Sequence, residues 1–162
     1  MAYTRLGSPT WGRPQATSAH NQARQRAQRL YIATYNRGWL RRFWRRVWGR
    51  SSRLPALREL AVTGTMLQNP TLQTIPLLKI QGSQGRSQDF DDAFYPLHDH
   101  NRERWLRVAL ARELGLALPL VQLIRVGDIY IVADGHHRLS VARAVGQLEI
   151  EAEVTVWSAA HD

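Results

Sequence analysis

The sequence contains no cysteine. That single absence excludes disulfides, thiolate zinc sites and cysteine nucleophiles together. Long apolar runs are missing as well, since nothing approaches the ~18–20 consecutive residues that a membrane span needs. No apolar signal-peptide core follows Met1, so the expected location is the cytoplasm. Carboxylates are almost absent from the first 60 residues, where thirteen arginines face one acid, Glu59. Residues 61–162 hold nine basic groups and twelve acids. The net charge of +9 therefore belongs to the first third of the chain, and two segments with different jobs are expected. A hydrophobic fraction of 44% is enough to build a core, which rules out a chain disordered throughout.

Residues 1–20 are rich in Ser, Thr, Pro and Gly without apolar periodicity and read as a disordered tail. Residues 21–60 read as a basic, Trp- and Arg-rich helical segment. From about Gln22 to Trp48, Ile32, Tyr35, Trp39, Phe43 and Val47 recur at three- and four-residue steps, flanked by Leu40, Trp44 and Trp48. Arg37, Arg41, Arg42, Arg45 and Arg46 fill most of the remaining arc, which makes the helix amphipathic. Three readings compete. The arginines neutralise phosphates of DNA while aromatic rings stack on bases. The aromatics lie in a membrane surface with Arg on anionic headgroups, a weaker alternative. Or the aromatic face packs on the rest of the protein and the Arg face is merely solvated.

The remainder has the texture of a small α+β domain over residues 71–157. Thr71–Ile80 reads as a strand, which Pro76 assigns to an edge. A polar loop, Gln81–Gln88, leads to an acidic cluster at Asp89, Asp91 and Asp92. A helix through about Leu114 is capped by Asn101 or Asp99 and ended by Gly115. Pro119–Val126 and Ile129–Ala133 form two apolar strands joined by Gly127-Asp128, a hairpin signal. His136–Val145 is a short helix closed by Gly146. Glu149–Trp157 alternates apolar and acidic residues strictly, as a half-buried strand does.

Chemistry concentrates at Tyr130–Arg143, where an apolar strand runs into Asp134-Gly135 and a helix starts at once. Such a junction aims unpaired backbone N–H groups and the positive end of a helix dipole at one spot. Gly135 allows the sharp turn and a close approach of phosphate. Arg138 offers a bidentate contact, and His136 and His137 add donors. The bland reading remains open: Asp134-Gly135 is only a turn, with Arg138 paired to a neighbouring acid. The histidines at 98, 100, 136 and 137 lack firm ligand spacing, so no metal site is assigned.

This stretch resembles the signature of the ParB/sulfiredoxin superfamily, in which a strand leads into a Gly-x-x-Arg turn and a helix. Here Gly135-His136-His137-Arg138 fills the turn. The upstream order is similar too: Gly85-Arg86 with Asp89-Phe90, the helix at 101–114 followed by Gly115 and Leu118-Pro119-Leu120, and the hairpin Val126–Val132. The resemblance covers about Thr71–Trp157 and implies a small mixed-sheet fold preceded by the basic helix. Superfamily members bind CTP, ATP or ADP at this turn. It therefore implies Gly135, His136, His137 and Arg138 as phosphate contacts, Arg86 as a further one, and a nucleotide with Mg²⁺ as ligand. Sulfiredoxin chemistry is excluded, because position 136 is His and Cys is absent. A helix-turn-helix domain and the Asn-containing segment of the ParB CTP site have no counterpart before Asp162, so a complete CTP clamp is not expected.

Two functions follow from the resemblance. The first is a nucleotide- or phosphate-binding ParB-like module associated with DNA through the Arg helix, with a homodimer as a further expectation. The alternative is a small-molecule kinase of the ParB-like free-serine-kinase type, or a nucleotide hydrolase. Asp134, Asp89 and Asp92 would then serve Mg²⁺ and general-base roles; a solvated loop is the bland reading of that acidic cluster.

Overall fold

The computed structural model describes residues 15–49, 51, 53–56, 66 and 69–158. Helix α1 spans Gln15–Val47. Gln15–His20, expected within the disordered tail, are thus helical, and residues 1–14 of that tail lie outside the described residues. No glycine or proline follows Pro14 until Gly38, so nothing local stops the helix from starting early.

Five strands form one mixed sheet: β1 (Thr71–Pro76), β2 (Ile80–Ser83), β3 (Val121–Val126), β4 (Ile129–Asp134) and β5 (Glu149–Val156). Helices α2 (Arg102–Glu113) and α3 (His136–Ala144) complete the α+β architecture. The strand order is β1-β5-β3-β4-β2. β1–β5 and β3–β4 are antiparallel, while β5–β3 and β4–β2 are parallel. Gly127 at φ 58° and Asp128 close the expected β3–β4 hairpin, with Val126 opposite Ile129. Pro76 sits on an edge strand as expected.

The expected single strand Thr71–Ile80 is in fact two. A 3-10 turn at Leu77–Lys79 separates them, and they lie at opposite edges of the sheet. Four strand spacings amount to about 19 Å in a flat sheet, whereas the chain from Pro76 to Ile80 reaches at most about 14 Å. The sheet must therefore curl until its edges approach. Arg143 pins the corner, donating from its guanidinium to the carbonyls of Leu77 and Ile80 at 2.6 and 2.8 Å.

The main core packs Ile75, Leu77, Ile80, Phe90, Phe94, Val121, Leu123, Val132, Leu139 and Val154 together, joined by Leu54 from the N-terminal third. A second cluster joins the helices, with Ala27 and Tyr31 of α1 packed on Trp105 and Ala109 of α2 and Val141 and Ala144 of α3. The inward seam of α1 is Ala23, Ala27, Tyr31, Thr34 and Gly38. Its large apolar residues are on the other side. Ile32, Trp39, Leu40, Phe43 and Val47 are each about half exposed; of the expected aromatic series only Tyr35 packs against the helix cluster.

Candidate functional site

β2 and β4 run in parallel, with Ser83 opposite Val132, so both end at the same rim of the sheet. α3 begins there immediately after Asp134. Gly135 occupies the N-cap position at φ 96°, ψ 22°, a left-handed conformation that favours glycine. A Cβ there would meet the Arg138 guanidinium and Val121 Cγ2 at 3.1 Å. The torsion thus favours glycine and the space leaves little room for a Cβ, and a glycine N-cap has no side chain with which to satisfy the first N–H groups of the helix.

Around this terminus lies a cleft of about 110 Å³ lined by Arg86, Arg104, Val108, Asp134, Gly135, His136, His137 and Arg138. The structure therefore brings Arg86 from the loop after β2 to the Gly135–Arg138 turn. A second cleft of about 570 Å³ runs beside it along Gln84–Asp89, and Arg86 lines both.

His136 is buried and shares a 2.7 Å hydrogen bond between its Nε2 and the Ser83 hydroxyl. Ser83 Oγ also accepts from the backbone N–H of Arg86 at 3.1 Å, so one hydroxyl ties the α3 terminus to the β2 loop. Burial, reinforced by the positive charge of Arg86, lowers the His136 pKa from 6.5 to about 4. His137 is only 7% exposed, and neither of its ring nitrogens has a hydrogen-bond partner. Burial, then Arg104 and Arg86, lowers its pKa to about 4 as well. The ring of Phe90 stands edge-on to it, with centroids 5.3 Å apart.

Arg138 is held within the fold. Its guanidinium donates to the carbonyls of Pro119 and Leu120 at 2.6 and 2.8 Å and to Asp134 at 2.5 Å. It straps the entry of β3 to α3, and only 15% of its side chain is exposed.

The acids expected to act together are dispersed. Asp89 bonds Arg86 and His100, each at 3.1 Å. Burial opposes its ionisation, but the contacts to Asn101, His100 and Arg86 outweigh that and hold its pKa below the usual value. Asp91 is fully buried and accepts from the N–H groups of Ala93 and Tyr95 at 3.0 and 2.8 Å. It thereby shapes the tight turn in which Phe94 takes φ 60°. Desolvation raises its pKa. Asp92 faces α1, where Arg41 and Arg45 bond it. Among the described residues no three His, Asp or Glu side chains converge as metal ligands would.

The five-arginine arc of α1 is divided by the same acids. Arg41 and Arg45 engage Asp92, and Arg42 lies 3.7 Å from Asp91. Arg37 and Arg46 remain on the exposed surface. Two site residues, Ser83 and Arg104, went unrecognised in the sequence. Ser83, expected in the polar loop Gln81–Gln88, ends strand β2 instead, and Arg104 stands on a helix with several arginines, so only their distant partners distinguish them.

No family model matches the chain, and no curated protein matches it. Among solved structures it is similar to sulfiredoxin from Arabidopsis thaliana, at 21% identity and a TM-score of 0.39. The match covers 55% of this chain and 89% of that one.

Proposed function

We propose that the protein is a nucleotide-binding module of ParB/sulfiredoxin type that receives a phosphate group at the N-terminus of α3. The observation that carries this reading is His137. A buried polar group with no partner costs about 1–3 kcal/mol, and this one lines a cleft with Arg86, Arg104, the Asp134-paired Arg138 and an uncapped helix terminus. Arg86 pushes both imidazoles towards neutrality and Arg104 pushes His137 the same way, so the cleft favours an anion. An anion would satisfy the helix N–H groups and the His137 ring and offset the arginine charge. The smaller cleft suits a phosphate group. The larger cleft that shares Arg86 offers room for the rest of a nucleotide.

Arg138 is a positioning residue in this reading, because its guanidinium is bonded to Asp134 and to the carbonyls of Pro119 and Leu120. The phosphate contacts are assigned to the N–H groups of the Gly135–Arg138 turn, to His137, Arg86 and Arg104. DNA association does not enter the proposal, since three of the five arginines expected to contact DNA are engaged by Asp91 and Asp92. A Mg²⁺ ion accompanying a nucleotide would find Asp134 at the cleft and Asp89 on the adjoining loop.

The test is calorimetric titration of the full chain with inorganic phosphate, CTP, ATP and ADP, with and without Mg²⁺. Binding of at least one nucleotide is expected. Arg86→Ala and Arg104→Ala should each weaken it about tenfold or more, the scale of a charge-assisted hydrogen bond. No heat with any of these ligands from a cooperatively folded protein would sink the reading. Conversion of a nucleotide during the titration would move the protein into the kinase or hydrolase class.

A further inference from the structure

Six large apolar residues of α1, and Trp48 directly after it, lie outside every core. Ile32, Trp39, Leu40, Phe43, Trp44, Val47 and Trp48 are between 48% and 70% exposed. At 100° per residue, Ile32, Trp39, Leu40, Phe43 and Val47 fall within an arc of about 100° directly opposite the buried seam, with Trp44 beside it. The aromatics contact one another in series: Trp39 on Phe43 at 5.8 Å, Phe43 on Trp44 at 5.8 Å, Trp44 on Trp48 at 5.9 Å. A patch this continuous marks an interaction site.

Its chemistry selects the occupant. α1 contains no Asp or Glu, and Arg37 and Arg46 flank the stripe without an ion pair among the described residues. Pairing two copies would juxtapose two basic helices that lack any acid, which disfavours a second copy. A nucleic-acid strand uses aromatic faces but has no use for Ile32, Leu40 and Val47. A surface that is apolar beneath and anionic above uses all of them. No described helix is long and apolar enough to cross a membrane, so the helix would lie in the interface plane. We infer that this stripe docks the protein on anionic lipid bilayers, with Trp and Phe at headgroup depth and Arg37 and Arg46 on the headgroups.

The test uses the full chain with vesicles of phosphatidylcholine alone or with about one third phosphatidylserine. Sedimentation with the mixed vesicles should exceed that with phosphatidylcholine at least severalfold. Lipids brominated on their acyl chains should quench tryptophan emission. The double variant Trp39→Ser/Phe43→Ser should partition at least about tenfold less, with its melting temperature unchanged because the residues are exposed. Leu40→Ser/Val47→Ser should show the same loss, and it is the independent check if the first variant fails to fold. Equal partitioning of wild type and variants would overturn the inference, as would vesicle binding without quenching. So would a failure to bind vesicles alongside stripe-dependent binding of a single-stranded oligonucleotide, or stripe-dependent dimerisation in sedimentation velocity.

Discussion

Protonating either cleft histidine places a charge in a buried site beside two arginines, and that cost is visible in folding. Both residues have pKa values of about 4 in the folded protein against 6.5 when exposed. The unfolded chain therefore takes up protons that the folded chain refuses as pH falls from 6.5 towards 4. Stability from these groups is fully present above pH 6.5 and declines across that window, at up to about 1.4 kcal/mol per pH unit for each histidine. His137→Gln removes one of the two titrations while keeping a neutral polar side chain. Urea midpoints measured from pH 7 to pH 4 should fall less steeply for this variant than for wild type. Parallel curves would mean that His137 titrates normally and is not buried as described. At this scale part of the site is legible in sequence. Gly135, His136, His137 and Arg138 stand in one local pattern and Arg86 in a separate one upstream, and the structure lines one cleft with all five. The division of labour within it is not legible. That Arg138 faces carbonyls at positions 119 and 120, and that Ser83 meets His136 across 53 residues, follows from strand order.

Close approach between elements turns on one residue of α1. Gly38 lies on the inward seam, and a Cβ there would fall 2.9 Å from Tyr95 Cβ and 2.9 Å from an Arg42 nitrogen. In an isolated helix, Gly→Ala gains about 1 kcal/mol. Here the Tyr95 contact involves a Cβ attached directly to the backbone, so the helix must shift and loosen the pairing of Arg41, Arg42 and Arg45 with Asp91 and Asp92. Gly38→Ala is expected to destabilise the protein by about 1–2 kcal/mol despite the better helix former. Thermal denaturation checks this, and a rise in melting temperature would show that α1 has room to spare. The same element explains where sequence reading stops. β3, β4, β5, α2 and α3 are legible because hairpin glycines, helix-ending glycines and strict alternation are local signals. The burial direction of α1 is not, because two faces compete. The aromatic face has the larger apolar area, but the seam of Ala27, Tyr31, Thr34 and Gly38 fits the surface offered by Trp105 and Ala109, and the acids at 91 and 92 draw in the arginines. The split of Thr71–Ile80 was equally hidden, since nothing in ten residues says that their ends pair at opposite edges of a curled sheet.

For the whole molecule, the charge contrast between the first 60 residues and the rest suggests two separable pieces, whereas the packing joins them. Ala27 and Tyr31 cover Trp105, Ala109, Val141 and Ala144, and Leu54 fills the main core. The Pro55 carbonyl accepts the N–H of Ser83, the serine that holds His136. Removing residues 1–60 would therefore strip the cover from a fully buried tryptophan, leave the Asp91 and Asp92 carboxylates without their guanidinium partners, and free the end of β2 that anchors the cleft. Each lost side chain of this kind is worth about 1.5–3 kcal/mol, and unpaired buried charge adds to that. Those losses rival the total stability of about 5–15 kcal/mol typical of a domain. A 61–162 fragment is expected to lose the sharp near-ultraviolet dichroism of packed aromatic rings, bind a hydrophobic dye and melt without cooperativity. The full chain should melt in one transition at every salt concentration tried. A fragment that unfolds cooperatively, with a midpoint close to that of the full chain, would make α1 an independent appendage. The cleft at Gly135 would then owe nothing to the first third of the sequence.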